Sequence, residues 1–194
     1  MREPNRDPPH SRDRQAKRAN RGGGGDAAGD AAGDADGRVD LIRRYYDGCT
    51  SGDLGLLHAT LHEDVVHYFL APNVGSAPVR GRAHLSAYWR KVARMLDARW
   101  VVERAVGQGC EVVIEWSMHW TPSPGAPRAI TRGAEWFVFR DGLIFEIRSW
   151  YQQRPETTEL EGFPYGPRGY SVTGREASDL HPGAATVPLA REGG

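Results

Sequence analysis

Hydrophobic and polar positions along this chain repeat with two different periods, and the switch between them outlines a fold. Val39, Ile42, Tyr45, Tyr46 and Cys49 recur at helical spacing and predict a helix starting at Arg38. Gly52 closes that helix. Asp53 is placed to cap a second, short one in which Leu54, Leu57 and Leu61 share a face. Residues 65–70, rich in β-branched and aromatic side chains, read as a strand, and residues 71–78 as a Pro/Gly-punctuated loop. Helical spacing returns over residues 81–96 with Leu85, Tyr88, Trp89, Val92 and Met95. Period two then takes over, with strands predicted at 100–106, 111–121, 130–140 and 143–152. Across 111–121 the alternation is clean. Val112, Ile114, Trp116, Met118 and Trp120 fall on one face, and Val113, Glu115, Ser117, His119 and Thr121 on the other. Asp141-Gly142 signals a tight hairpin between the last two strands. Helix, helix, strand, helix and then a run of strands predicts an α+β fold, a curved, mostly antiparallel sheet with helices on one face.

The flanks differ in character. Residues 1–37 carry seven Lys/Arg and three acids in their first 21 positions, then a run of Gly, Ala and Asp. They bury too little apolar surface to offset chain entropy and are expected to form a disordered tail. Residues 38–153 form the predicted domain. Residues 154–194 form an extension, rich in Gly, Pro and charge, whose Phe163, Tyr165 and Tyr170 are expected to fold partly over the domain, with a lid over the pocket mouth left open.

Composition narrows the function classes. Formal net charge is zero and charged residues make up 26% of the chain, so no global field favours nucleic acid or an anionic membrane. The N-terminal arginines could touch RNA, but a nucleic-acid partner is not expected. No apolar run approaches the roughly 18 residues a membrane span needs, and the basic N-terminus lacks the apolar core of a secretory signal. Cys49 and Cys110 are too few for a disulfide framework. They fit a reducing cytoplasm, where they would fill core space, and a single bridge between them stays open. His58 and His62 are four apart, but no third ligand joins them, so no metal site is expected. No phosphate-binding Gly loop and no nucleophile elbow are present, and no cofactor is expected.

Several motifs resemble one superfamily. They are Tyr45-Tyr46 followed by Ser51-Gly52-Asp53 and Asp64-Val65-Val66; Pro78-Val79-Arg80-Gly81 leading to Tyr88-Trp89; and Gly133-Ala134-Glu135-Trp136-Phe137-Val138-Phe139 followed by Asp141-Gly142-Leu143-Ile144 and Trp150-Tyr151. In this order they resemble the NTF2-like / SnoaL-like proteins, which include ketosteroid isomerases, polyketide cyclases, scytalone-type dehydratases and members without known catalysis. The resemblance implies a cone that wraps a small-molecule pocket. It also implies a sheet face commonly used for dimers, where Trp136 and Trp150 would be anchors, so a homodimer is expected.

The same resemblance, combined with strand parity, selects a pocket. Glu135 matches the buried acid of ketosteroid isomerases, and Tyr45 their oxyanion-binding tyrosine. Phe69 replaces the isomerase base, which leaves His67, on the same face, as the substitute. His67, Glu135 and Tyr45 are therefore the candidate catalytic residues. Phe69, Trp89, Trp116, Met118, Trp120, Phe137 and Tyr151 are the candidate substrate-binding residues. Trp89, Trp116 and Trp120 could also form a cage for a cation. A carboxyl among Trp and Phe is costly to ionise unless it is paired. Burial raises its pKa and a protonated histidine lowers it, and either protonation state serves acid–base chemistry. The alternative for Glu135 is the outer sheet face, paired with Arg132 or Arg148. The implied activity is a cofactor-independent cyclase, dehydratase or isomerase acting on a hydrophobic oxygenated small molecule, with bacterial secondary metabolism as the expected setting by analogy. The alternative is a non-catalytic binding or dimeric interaction module.

Overall fold

The computed structural model describes residues 26–71, 77–152 and 157–174, with side chains from residue 35 onward. Three helices, α1 (Asp26–Ser51), α2 (Leu54–Thr60) and α3 (Arg82–Leu96), pack on a six-stranded sheet. The strands are β1 (Leu61–Tyr68), β2 (Val79–Arg80), β3 (Arg99–Gln108), β4 (Glu111–Trp120), β5 (Ala129–Arg140) and β6 (Leu143–Tyr151). Their order is β2-β1-β6-β5-β4-β3, with β1 and β6 parallel and the other neighbours antiparallel. The predicted α+β class and the curved sheet are present.

Several local signals are realised as read. Gly52 ends α1 with φ +68°, and its N–H bonds the Gly48 carbonyl. Asp53 caps α2 by accepting from Gly55 N (2.7 Å) and Leu56 N (3.1 Å). Asp141 and Gly142 both take positive φ, as a tight two-residue hairpin needs, and join β5 to β6. Tyr45, Tyr46, Ile42, Cys49, Leu57, Leu85, Ile114 and Phe137 form the core between helices and sheet.

Four expectations change. Helix α1 begins at Asp26, twelve residues before Arg38. Its added turns read Asp-Ala-Ala-Gly, and alanine propensity plus acids near a helix N-terminus favour helix. The rest of the expected tail, residues 1–25, lies outside the described residues. Strand β1 starts at Leu61, where it meets Ile144 of β6, then shifts register before Val66; that irregularity hid its first half from a period-two reading. Met95 is exposed, and its neighbour Leu96 faces inward instead. Both cysteines are free, with Cys49 in the core and Cys110 exposed in the β3–β4 turn, so neither a bridge nor a core role for Cys110 applies.

The described residues of the C-terminal extension form no lid. Residues 157–174 make a strap across the outer face of β3, β4 and β5. There Phe163, Tyr165 and Tyr170 pack edge-to-face on one another and under Arg132 and Arg104. Residues 153–156 and 175–194 of that extension lie outside the described residues. Trp136 is held within the subunit by Glu111 (3.0 Å), whereas Trp150 is 47% exposed.

Gly133 is a strand glycine that the fold uses sterically. It sits on β5 between Trp116 of β4 and Tyr151 of β6. A Cβ there would lie 2.6 Å from Trp116 Cζ2 and 2.6 Å from the Trp150 carbonyl oxygen. Its bare backbone lets Trp116 and Tyr151 meet across the middle strand, with ring centroids 5.8 Å apart. Gly133→Ala is expected to cost about 1–3 kcal/mol by overpacking, read as a lower urea midpoint. An unchanged midpoint would show that the Trp116 ring has room elsewhere.

Candidate active site

A cavity of about 390 Å³ opens between α3 and the inner face of the sheet. Helix α3 supplies Tyr88, Trp89, Val92 and Leu96, and β3 supplies Trp100. Strand β4 supplies Trp116, Met118 and Trp120, the face that its alternation predicted. Thr131 and Glu135 come from β5, Ser149 and Tyr151 from β6, and Phe69 from just beyond β1. The wall is thus mostly aromatic, as ligand pockets for flat apolar molecules are. Among the described residues of its lining Glu135 is the sole carboxylate, and no Arg, Lys or His joins it.

Glu135 is buried at the cavity wall, not on the outer face with Arg132. Ser149 Oγ donates to its Oε1 at 2.5 Å, and the Tyr46 hydroxyl donates to its Oε2. Burial pushes its pKa from 4.5 up to about 7, although both hydrogen bonds favour the ionised form. Desolvation outweighs them because neither donor carries a charge.

His67 is brought to the site but stands behind it. It is fully buried and absent from the cavity lining. Its Nε2 lies 2.6 Å from Ser149 Oγ and 3.6 Å from Glu135 Oε1, and its ring stacks on Phe69 at 3.9 Å. Burial lowers its pKa to about 3. His67 and Glu135 are therefore never oppositely charged, since one is neutral above about pH 3 and the other ionises only near 7. With Glu135 ionised, the single Ser149 proton goes to the carboxylate, so His67 Nε2–H must donate to Ser149. Its Nδ1, which has no partner, is then a buried lone pair rather than a stranded donor.

Two other expected members of the site lie elsewhere. The fully buried Tyr45 accepts from Trp89 Nε1 at 2.6 Å and is hydrogen-bonded to Cys49, so it buttresses the cavity wall from outside. Tyr46, one position on, reaches Glu135 in its place. Phe137 keeps the predicted inward parity, but α1 covers that end of β5. It packs edge-on against Tyr45 and Tyr46 in the core and does not reach the cavity. Ser149 shares the inward face of β6 with Tyr151, and its role as the link between His67 and Glu135 emerges from the β1–β6 pairing. Among the described residues no three His, Cys, Asp or Glu side chains converge as metal ligands, and His58 and His62 fall on different elements, α2 and β1. No helix among the described residues is long and apolar enough to cross a membrane.

The two shifted groups oppose one another in stability. His67, depressed in the fold, makes stability rise with pH from about 3 to 6.5. Glu135, raised in the fold, makes it fall from about 4.5 to 7. Comparing Glu135→Gln with the parent isolates the carboxyl. The difference is expected to be flat below pH 4.5, then to grow in the variant's favour by about 1.4 kcal/mol per pH unit, levelling at about 3 kcal/mol above pH 7. Urea unfolding across this range checks it; a difference that does not vary with pH contradicts the raised pKa.

Comparison with known proteins identifies the fold and the family. Residues 42–147 match the family model described as a SnoaL-like domain. A protein of unknown function with a cystatin-like fold from Methylobium petroleophilum PM1 is 31% identical, with a TM-score of 0.55, over 74% of this chain and 97% of its own. A putative SnoaL-like polyketide cyclase from Jannaschia sp. CCS1 shares the fold at 16% identity (TM-score 0.51; 61% of this chain, 87% of its own). TerC, co-crystallised with polyporic acid, shares it at 18% identity (TM-score 0.53; 60% and 92%). No curated protein matches the chain at a significant level. The matched segment runs from within the first helix into the last strand and includes Tyr46, His67 and Glu135, with Ser149 two residues past its end, and by it this chain belongs to the SnoaL-like domain family.

Proposed function

We propose that this protein is a cofactor-independent acid–base catalyst of the cyclase, dehydratase or isomerase type, acting on a neutral, hydrophobic, oxygenated small molecule. One observation carries the reading: a lone carboxyl, poised near neutrality, in an aromatic cavity. Ionised Glu135 would take a proton from carbon beside a carbonyl, and the electron pair would move onto the carbonyl oxygen. Tyr88 lines the cavity and keeps its phenol proton to about pH 12, so we assign it as donor to that oxygen. Neutral Glu135 would then return the proton to a second carbon, to a departing hydroxyl that leaves as water, or to the alkoxide of a newly closed ring. His67 is a positioning residue in this scheme. It orients Ser149, and Ser149 orients the carboxylate. The described lining residues are apolar or uncharged apart from Glu135, which favours a neutral substrate. TerC, of the same fold, is co-crystallised with an organic ligand, which accords with such a cavity.

A second reading, a binding module without turnover, has one observation in its favour. Both oxygens of Glu135 already accept hydrogen bonds, which suits a fixed anchor. Exchange of the acidic C–H protons of 2-tetralone, a flat neutral ketone, separates the two. In D₂O the protein is expected to speed exchange saturably, with a rate that rises to a plateau above about pH 7. Glu135→Gln should lose at least about 100-fold, and His67→Gln should retain activity with a displaced pH limb. Equal exchange by the parent and Glu135→Gln leaves the binding reading standing.

A further inference from the structure

The cavity wall and the strap share strands. Along β4, Met118 and Trp120 face the cavity, while Ser117 and His119 face outward and are fully or almost fully buried. Along β5, Thr131 faces the cavity and Arg132 the strap. Beyond Gly133, which pairs with Tyr151, β6 has ended and residues 129–132 have no partner from it. The strap takes that place. Thr157 bridges Ile130, and Thr158 Oγ1 bonds both the N–H and the carbonyl of Arg132.

Arg132 is the knot. Its Nε donates to Glu159 (3.0 Å), its Nη1 to Ser117 Oγ (2.6 Å) and its Nη2 to the Ser171 carbonyl (3.0 Å), with the Tyr165 ring 4.0 Å from its guanidinium carbon. Glu103 of β3 accepts from Ser117 Oγ (2.6 Å) and from Ser171 Oγ (2.7 Å), tying two strands to the strap. Gly174, at φ +72°, lies so close to His119 that a Cβ would sit 2.6 Å from the ring. A buried polar set of this kind is costly to leave half made, so the strap docks as a unit. On the cavity side the wall has its own hydrogen bond, Trp120 Nε1 to Thr131 Oγ1 at 3.0 Å. Each end of that bond is one residue from a strap anchor, His119 or Arg132.

We propose that the strap is a clamp that positions the Trp120–Thr131 wall of the cavity, with Arg132 as its positioning residue. The functional weight of this rests on the cavity being the ligand site proposed above. The strap lies beyond residues 42–147, so the clamp is added to the matched domain from outside it.

The test uses the full chain with two mild variants, Glu159→Ala and Ser171→Ala, followed by amide hydrogen exchange and by the indole N–H signal of Trp120. Exchange is expected to speed at least tenfold in the strap, at residues 116–120 and at 129–132, with residues 112–114 unchanged. The Trp120 indole N–H should exchange faster and shift. Three results overturn the clamp: a strap that loosens while the wall amides and the indole stay as in the parent, a strap unaffected by either variant, or acceleration of the whole sheet alike. The Glu135 titration, read in the same samples, reports the acid–base reading separately, so either can fail without the other.

Discussion

A carboxyl group enclosed by tryptophans faces a choice between losing its charge and finding donors, and Glu135 is held between the two. Two neutral hydroxyls, of Ser149 and Tyr46, hold its oxygens in place, yet burial still lifts its pKa to about 7. A cationic partner would have fixed it as a carboxylate, and no donor at all would have fixed it as an acid. The rest of the interior serves this balance. Helix α1 brings Tyr46, the parallel β1–β6 pair brings His67 against Ser149, and burial of His67 keeps a positive charge away from the site.

The same sheet buries a second carboxylate on its outer face, and the contrast is instructive. Glu103 is met by Arg132, two serines and a strap backbone N–H, a set that locks geometry. Glu135 is met by hydroxyls alone and opens on a cavity. Both belong to one sheet, and strand alternation sends one to each side. A carboxylate tied by a guanidinium serves the fold, and a carboxyl met by hydroxyls alone in a cavity is the candidate for chemistry.

Much of this was legible in the sequence, because periodicity reports burial directly. The clean alternation of residues 111–121 placed Trp116, Met118 and Trp120 on the cavity side, and Asp141-Gly142 and Asp53 announced their turn and cap. Adjacent residues on a helix were harder. Tyr45 and Tyr46 both lie on the buried face of α1, and a hundred degrees of rotation decides which hydroxyl meets Glu135. Parity placed Phe137 and His67 inward but carried no depth, so it could not tell cavity wall from the packed layer beneath. The start of α1 at Asp26 escaped because its first turns, built of Asp, Ala and Gly, carry no hydrophobic period to read. The strap's aromatics were legible, but its anchors escaped because Glu103, Ser117, His119 and Arg132 look like solvent-facing residues until residues 157–174 fold over them.

The most direct measurement is a ¹³C NMR titration of the glutamate side-chain carboxyls, with the Glu135 resonance assigned by its loss in Glu135→Gln, and ¹⁵N spectra of His67 recorded in parallel. The account predicts a Glu135 midpoint near pH 7 and a His67 ring that stays neutral, with its proton on Nε2, while Glu135 is ionised. A Glu135 midpoint near 4.5, or a His67 that gains its second proton above pH 6, would contradict it and remove the basis for an acid–base site in this cavity.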